Sequence, residues 1–134
     1  MALKIRLRPK ERVIIGGAVV TNGNNNSNLV IDNNIPILRE KDIMNEEDAN
    51  TPCRRIYFVI QLMYVNEKNL QDHYNTYWEL VRDVVDAAPS TIHYIDQMNQ
   101  HILSGQHYKA IKTARQLIDY EEEVVKNVCT IRSI

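Results

Sequence analysis

Apolar and polar residues alternate strictly at the start of the chain. In LKIRLR, the apolar residues Leu3, Ile5 and Leu7 are separated by cations. Successive side chains of a β-strand point to opposite faces, so this segment predicts a strand with one apolar face and one cationic face. The functional question is whether those cations form a binding surface or only the solvated side of a strand.

The rest of the first third predicts short strands joined by turns. RVIIGGAVV predicts a β-hairpin, because Gly16 and Gly17 can adopt the positive φ values of a two-residue primed turn. NLVID and IPILRE predict two further strands, and Pro36 favours an edge position for the second. Several short strands with short turns predict a small antiparallel sheet or open barrel.

Helical signals begin after an acidic joint. Thr51 and Pro52 form a strong start signal, with Thr as the N-cap and Pro at the first helical position. The run RRIYFVIQLMYV that follows is apolar almost all round, so periodicity does not separate a buried helix from a strand. The Thr-Pro start and the length of the run favour a helix.

Three more helices are predicted where apolar residues repeat every three or four positions. The first covers NEKNLQDHYNTYWELVRDVVDAA and ends at Pro89, and Ser90 is the expected cap of the next. Gly105 suits the left-handed turn before the last helix, which is expected over about 107–128. The short links predict antiparallel neighbours.

The predicted fold class is therefore α+β. A chain of 134 residues suits one compact domain or two small subdomains. In order, we expect a β-rich subdomain at 1–44, an acidic joint at 45–50, an antiparallel α-helical bundle at 51–129 and a frayed tail at 130–134.

Charge is distributed unevenly between these parts. The net charge is −1, yet residues 1–44 hold seven cations against four anions, and the remainder holds nine against thirteen. A basic β part favours an anionic partner such as nucleic acid. The alternative is that edge strands carry Lys and Arg to prevent edge-to-edge aggregation. The β part also lacks stacking aromatics, since every aromatic residue lies at or beyond Tyr57.

The sequence contains no motif that supports catalysis, a cofactor or a metal site. The four histidines are scattered, and Cys53 and Cys129 lack the CxxC spacing of a zinc site or redox motif. We expect reduced thiols in a cytoplasmic protein that is not an enzyme. Neither a signal peptide nor a membrane-spanning run is recognisable.

Two groups of residues are the candidate binding surfaces. Residues 56–65 are rich in aromatic and apolar side chains, and they could form core, a dimer seam or a partner groove. The candidate partner-binding residues are Tyr57, Phe58, Leu62, Tyr64, Tyr108 and Tyr120. The candidate nucleic-acid-binding residues are Lys4, Arg6, Arg8, Lys10, Arg12, Arg39, Lys41, Arg54 and Arg55.

The segment IPILREKDIMNEEDANTPCRRIYFVIQLMY resembles the signature of the FlbT family of flagellar biosynthesis regulators. MALKIRLRPKER, GGAVVTNG and GQHYKAIKTARQLIDYEEE are similar to the same family, so the resemblance covers nearly the whole chain. It implies a bacterial cytoplasmic regulator that acts after transcription on the 5′ untranslated leader of flagellin mRNA. Members of the family usually repress translation or promote decay, and in some lineages they are needed for flagellin expression. The resemblance also implies that FlaF, a small partner of flagellin, works beside it.

The resemblance leaves a rival function open. In that alternative the helices bind FlaF or flagellin, any effect on mRNA is indirect, and a homo-oligomer is compatible with either function. Three features depart from the family pattern: Asn-rich NNNSN replaces charged residues after Gly23, Pro9-Lys10 stands where Pro-Gly is common, and Cys53 stands where Ala is common.

A second and shorter resemblance covers residues 3–43. The order of basic strand, turn, hairpin and late strand ending in Arg-Glu is similar to the carbon storage regulator, a small β-stranded RNA-binding protein. It implies RNA contacts at Lys4, Arg6, Arg8 and Arg39.

Overall fold

The computed structural model describes residues 2–66 and 68–132, with side chains through residue 126. The chain is α+β, as predicted, and its described part divides into two compact units. The β unit consists of residues 2–43 with 65–66, and the helical unit consists of residues 44–64 with 68–132.

The β unit contains two antiparallel sheets and, in its described residues, no closed barrel. β1 pairs with β4, and β2 lies between β3 and β5 in the second sheet. β5 is therefore an edge strand, as Pro36 indicated. The strands are β1 (Leu3–Leu7), β2 (Arg12–Ile15), β3 (Ala18–Thr21), β4 (Ser27–Ile31) and β5 (Ile37–Arg39).

The hairpin predicted at the two glycines is confirmed. Gly16 and Gly17 have φ values of 56° and 90°, and Ile15 lies opposite Ala18 across the turn. Positive φ at both central residues is the requirement of the tightest primed turns, which match the twist of the flanking strands.

The alternation in LKIRLR places Ile5 and Leu7 in the core of the β unit, whereas Leu3, at the start of the strand, is 50% exposed. Ile5 and Leu7 are buried with Val13, and partly buried side chains from the other strands pack against them. Lys4 and Arg6 lie on the opposite, solvent-facing side of β1. The cations of this strand are therefore presented outward by the burial of their neighbours.

The helical unit contains four α-helices, and the uncertain run RRIYFVIQLMYV is helical. The Oγ1 atom of Thr51 accepts a hydrogen bond from the backbone N–H of Arg54 at 3.2 Å, which confirms the predicted N-cap. The helices are α1 (Pro52–Val65), α2 (Leu70–Ala87), α3 (Ile92–Leu103) and α4 (His107–Arg132).

α1 and α4 run antiparallel. Thr51 contacts Glu121, the Tyr57 hydroxyl contacts Arg115, and the Tyr64 ring packs on that of Tyr108. Residues later in α1 contact residues earlier in α4, so the two helices run in opposite directions. The Glu121 carboxylate accepts hydrogen bonds from the Thr51 hydroxyl at 2.5 Å and the Cys53 backbone N–H at 3.2 Å. α4 thus supplies a carboxylate to the N-terminus of α1.

The expected capping role of Ser90 is wrong. Residues Pro89–Thr91 form a 3₁₀ turn before α3, and the Ser90 hydroxyl hydrogen-bonds the Tyr120 hydroxyl at 2.6 Å instead. The Ser90 side chain therefore bonds to a residue of α4 instead of capping α3.

Gly105 has the predicted left-handed conformation, with φ of 74°. The backbone of α4 stays helical to Arg132, and Ser133 and Ile134 lie outside the described residues.

Candidate nucleic-acid interface

A cationic cleft of about 380 Å³ lies on the β unit. It joins the end of β1 to the end of β5 and the 3₁₀ turn that follows, which are more than thirty residues apart in the chain. Its lining residues are Arg6, Arg8, Glu11, Arg39 and Lys41. The structure thus gathers four predicted cations around one anion that was not predicted.

The turn after β1 places Glu11 beside the cations of the cleft. The backbone N–H of Glu11 donates to the carbonyl of Arg8 at 3.1 Å, and Lys10 adopts a left-handed φ of 65° in the turn. The Asn22 amide donates to the Arg8 carbonyl at 2.7 Å, so the neighbouring loop also holds this turn. The turn, which is closed by a backbone hydrogen bond and held by the Asn22 side chain, therefore sets the position of Glu11.

Glu11 is the organising group of the cleft. Only 6% of its surface is exposed, and its carboxylate accepts from the Arg8 backbone N–H at 2.9 Å and from Arg39 Nη2 at 3.3 Å. Arg8 Nε lies 3.4 Å from the same carboxylate. The hydrogen bond from the Arg8 backbone, followed by the interactions with the two guanidinium groups, lowers the pKa of Glu11 against the opposing effect of burial. The carboxylate therefore stays charged at neutral pH.

Arg39 connects the two sheets. Its Nη2 atom also donates to the backbone carbonyl of Arg6 at 2.6 Å, so one guanidinium group contacts both β1 and Glu11.

Two cations of the cleft are uncommitted, which means that their side chains have no partner within the described part of the chain. Neither Arg6 nor Lys41 forms an ion pair or a side-chain hydrogen bond with another described residue. The cleft thus combines two held guanidinium groups with two cations available to an external anion.

The other predicted cations lie elsewhere. Arg12 pairs with Glu40 at 3.6 Å, and Lys4 and Lys10 are exposed but do not line the cleft. Arg54 and Arg55 belong to the helical unit, where Arg54 binds Glu122 at 2.9 Å. A cation at the N-terminus of a helix is unfavourable beside the helix dipole, and Glu122 of α4 compensates for it at Arg54.

The predicted partner-binding residues divide between core and surface of the helical unit. Tyr57 is fully buried, with the Arg115 guanidinium 4.9 Å from its ring centroid and hydrogen-bonded to its hydroxyl at 3.1 Å. Tyr57 is thus part of the core. The remaining candidates are half-buried, and they are Phe58, Leu62, Tyr64, Tyr108 and Tyr120.

Sequence reasoning missed Glu11 and Asn22. One signal for Glu11 was present, because it is the only anion among the first 31 residues and follows the RPK turn directly. An isolated anion within a cationic segment has several Lys and Arg side chains nearby that can pair with it. Asn22 carried no comparable signal, since it lies in an Asn-rich loop whose members look equivalent in sequence.

The described part of the chain contains neither a cluster of metal-binding side chains nor a membrane-spanning helix. No group of three or more His, Cys, Asp and Glu side chains there is arranged to hold a metal ion. Within the same residues, no helix has the length and apolar character needed to cross a membrane.

Comparison with known proteins identifies the relatives of the chain. Residues 3–125 match the family model described as flagellar protein FlbT. A probable flagellum biosynthesis repressor protein FlbT 1 of Bradyrhizobium diazoefficiens is 48% identical over 92% of this chain and 85% of its own length. A probable flagellum biosynthesis repressor protein FlbT of Rhodopseudomonas palustris is 41% identical over 93% of this chain and 98% of its own length.

A third relative is the flagellum biosynthesis repressor protein FlbT of Caulobacter vibrioides, which is 34% identical over 96% of this chain and 92% of its own length. No solved structure matches the chain. These names support a regulatory role in flagellar synthesis. With a family match that spans most of its length, the chain belongs to the FlbT family.

Proposed function

We propose that this protein represses flagellin synthesis after transcription by binding the 5′ untranslated leader of flagellin mRNA in the cationic cleft. The observation that carries the proposal is the arrangement of four cations around Glu11, two of them held and two uncommitted. The resemblance to the FlbT family indicates the target, and the repressor names of the relatives indicate the direction of the effect.

The arrangement suits a phosphate backbone. Arginine presents a planar fork of donors that matches phosphate oxygens, and a guanidinium group that is already held loses less entropy on binding. Arg8 keeps 79% of its side-chain surface exposed while it contacts Glu11, and Arg39 keeps 41%. Both can therefore meet a ligand without leaving the carboxylate that positions them.

Recognition by this cleft is expected to be dominated by phosphate contacts. No aromatic residue occurs before Tyr57, so residues 2–43 provide no aromatic platform for stacked bases. Phosphate contacts position an RNA, whereas sequence choice comes from bases splayed out of loops or single strands. The arginine planes are the groups of this unit that can stack on such bases. Repression would then follow from occlusion of the leader or recruitment of decay machinery.

The test is fluorescence anisotropy of the full chain with a labelled flagellin leader RNA and a scrambled RNA of equal length, over a series of salt concentrations. The test variant carries Arg6→Ala and Lys41→Ala together. The matched control carries Lys4→Ala and Arg55→Ala, which remove the same two side-chain types from exposed positions that do not line the cleft.

We expect the leader to bind more tightly than the scrambled RNA. The test variant should reduce the slope of log affinity against log salt by about 1.4, since each lost single-strand phosphate contact removes ~0.7. The control should leave most of the slope intact. Equal losses in both variants would contradict binding in the cleft. If neither RNA binds, alone or with FlaF present, the helices as a binding surface for FlaF or flagellin become the better explanation.

A further inference from the structure

The helical unit carries an apolar groove that the proposed RNA function does not use. The groove consists of two adjoining depressions at the start of α1, the end of α2 and the second half of α4. The deeper depression, as we call the more enclosed one, has a volume of about 160 Å³, and the more open one has about 350 Å³. The residues that define it here are Pro52, Val84, Ala87, Tyr120, Val124 and Val125.

The groove is an exposed apolar surface rather than a part of the core. Val124 and Val125 are 38% and 56% exposed, although they continue the apolar side of α4. Ala87 leaves room at the end of α2, and Tyr120 forms a wall that is held by Tyr94 and Ser90. An apolar concavity of this kind can accept an apolar side chain of a ligand.

The chemistry of the lining selects a helical ligand. The deeper depression is lined almost entirely by apolar atoms, so it offers hardly any hydrogen-bonding partner to a peptide backbone. An extended peptide would leave its N–H and C=O groups unpaired there, whereas a helix pairs its own. A cavity of about 150 Å³ accommodates a benzene-sized group, which corresponds to the end of a Leu, Met or Phe side chain.

Charged side chains of both signs line the groove, with Lys126 at the second depression, and the carboxylates beside the more enclosed one determine the charge of that helix. Glu121 is occupied by the N-terminus of α1, and Glu122 is paired with Arg54. Asp83, on the α2 side, is exposed and forms no ion pair with another described residue. A Lys or Arg on the ligand would satisfy this carboxylate. Residues three or four apart share one face of a helix, so the cation and the apolar anchor can lie one turn apart.

We propose that this groove binds an amphipathic helix of another protein. A large apolar side chain would enter the deeper depression, and a Lys or Arg one turn away would face Asp83. This inference concerns only the helical unit, so its failure and the failure of RNA binding in the cleft are separate results.

The test uses the full chain and fluorescein-labelled model peptides of fourteen residues. The first peptide contains only Leu and Lys in a helical pattern, the second replaces every Lys with Glu, and the third has the first composition in strict alternation. We expect the Leu-Lys helix to bind at least tenfold more tightly than either control, since only it combines a self-paired backbone with positive charge. Equal binding of the three peptides would overturn the proposal.

Protein variants then locate the binding site. Ala87→Phe fills the groove from an exposed position at the end of α2, and it should weaken the Leu-Lys helix at least tenfold. Asp83→Lys should weaken it by about fivefold. The matched control is Asp86→Lys, which makes the same change of charge on the same helix outside the groove and should have less than a twofold effect.

Circular dichroism checks that each variant keeps its helix content. Unchanged affinity in Ala87→Phe, or equal effects of the two lysine substitutions, would contradict the groove as the site. Sedimentation of the unliganded protein tests a different occupant. A dimer of the wild-type chain that Ala87→Phe dissociates would overturn the proposal and assign the groove to a second copy.

Discussion

Each unit of this protein contains one carboxylate that organises its surroundings, and the two act in opposite directions. Glu11 in the β unit gathers the guanidinium groups of Arg8 and Arg39 and leaves them at the surface. Glu121 in the helical unit accepts hydrogen bonds from Thr51 and Cys53 and joins α4 to the start of α1. The first carboxylate orders a cationic surface, and the second holds two helices together.

The difference follows from the donors that each carboxylate receives. Glu11 binds long cationic side chains whose remaining N–H groups can still reach a ligand. Glu121 binds one hydroxyl and one backbone N–H, which have no further donor to offer outward. The partners of a hydrogen-bonded carboxylate therefore decide whether it orders a surface or joins two elements. Substitutions at and around these two carboxylates separate the two roles.

The site around Glu121 should protect a thiol. Burial, and next the negative charge of Glu121, raise the pKa of Cys53 to about 12. In a Cys129→Ser variant, where Cys53 is the only cysteine, iodoacetamide at pH 8 should alkylate the native protein at least ~100-fold more slowly than the urea-unfolded chain, because the thiolate is the reactive form. Mass spectrometry follows the reaction. Similar rates in the two states would show that the α1–α4 junction opens readily.

Glu11→Gln should weaken RNA binding even though it removes a negative charge from a cationic cleft. The neutral amide holds Arg8 and Arg39 less firmly, and loss of a supporting partner costs on the order of tenfold at metal sites. Anisotropy with the leader RNA measures the affinity. The matched control is Glu40→Gln, which makes the same charge change beside Arg12 outside the cleft. Tighter RNA binding in Glu11→Gln would show that charge alone governs the cleft.

The same substitution should alter the pH dependence of stability. The pKa of folded Glu11 is lowered, so its ionised form contributes stability above the unfolded value of about 4.5. That contribution is lost as the pH falls through the folded pKa. Urea unfolding at pH 6 and pH 3 should therefore show a smaller decrease in the free energy of unfolding for Glu11→Gln than for the wild type. An identical decrease would mean that Glu11 is not held as described.

Glu121→Ala should lower the free energy of unfolding by about 1–2 kcal/mol, because it removes the acceptor of two donors at the N-terminus of α1. Glu121→Gln should cost less, since an amide oxygen can still accept. Urea denaturation measures both variants. Glu123→Ala is the control, since Glu123 is exposed on the same helix, and an effect within about 0.5 kcal/mol is expected there. Equal losses at positions 121 and 123 would contradict the capping role.

The smallest effect concerns the turn that carries Glu11. Lys10 has a left-handed φ of 65°, a conformation that glycine adopts without strain. Lys10→Gly should raise the free energy of unfolding by about 0.5–1 kcal/mol. Lys10→Ala is the control, because it removes the same charge but keeps the strained backbone conformation. Thermal denaturation of both variants therefore separates the effect of the backbone strain from the effect of the charge. A lower melting temperature for Lys10→Gly than for Lys10→Ala would contradict this explanation.

Local sequence rules predicted the features of this fold that depend on neighbouring residues. The Gly16-Gly17 turn and the Thr51-Pro52 helix start each follow from the conformational preferences of two adjacent residues. Ser90 shows the limit of such rules, because a hydroxyl thirty residues away replaced its local role. The identity of the cationic residues was predicted, but their grouping depends on Arg39 reaching Glu11 across 28 positions, which only the paired strands determine.

The antiparallel pairing of α1 and α4 has a consequence for the order in which the units form during synthesis. Every specific contact of the cationic cleft lies within the first 41 residues, whereas the cap of α1 waits for Glu121. At typical translation rates of 5–20 residues per second, about 4–16 s separate the appearance of these two positions. We therefore expect the cationic cleft of the β unit to form on the ribosome first. At that time the helical unit still lacks the part of α4 that carries Glu121 and caps α1.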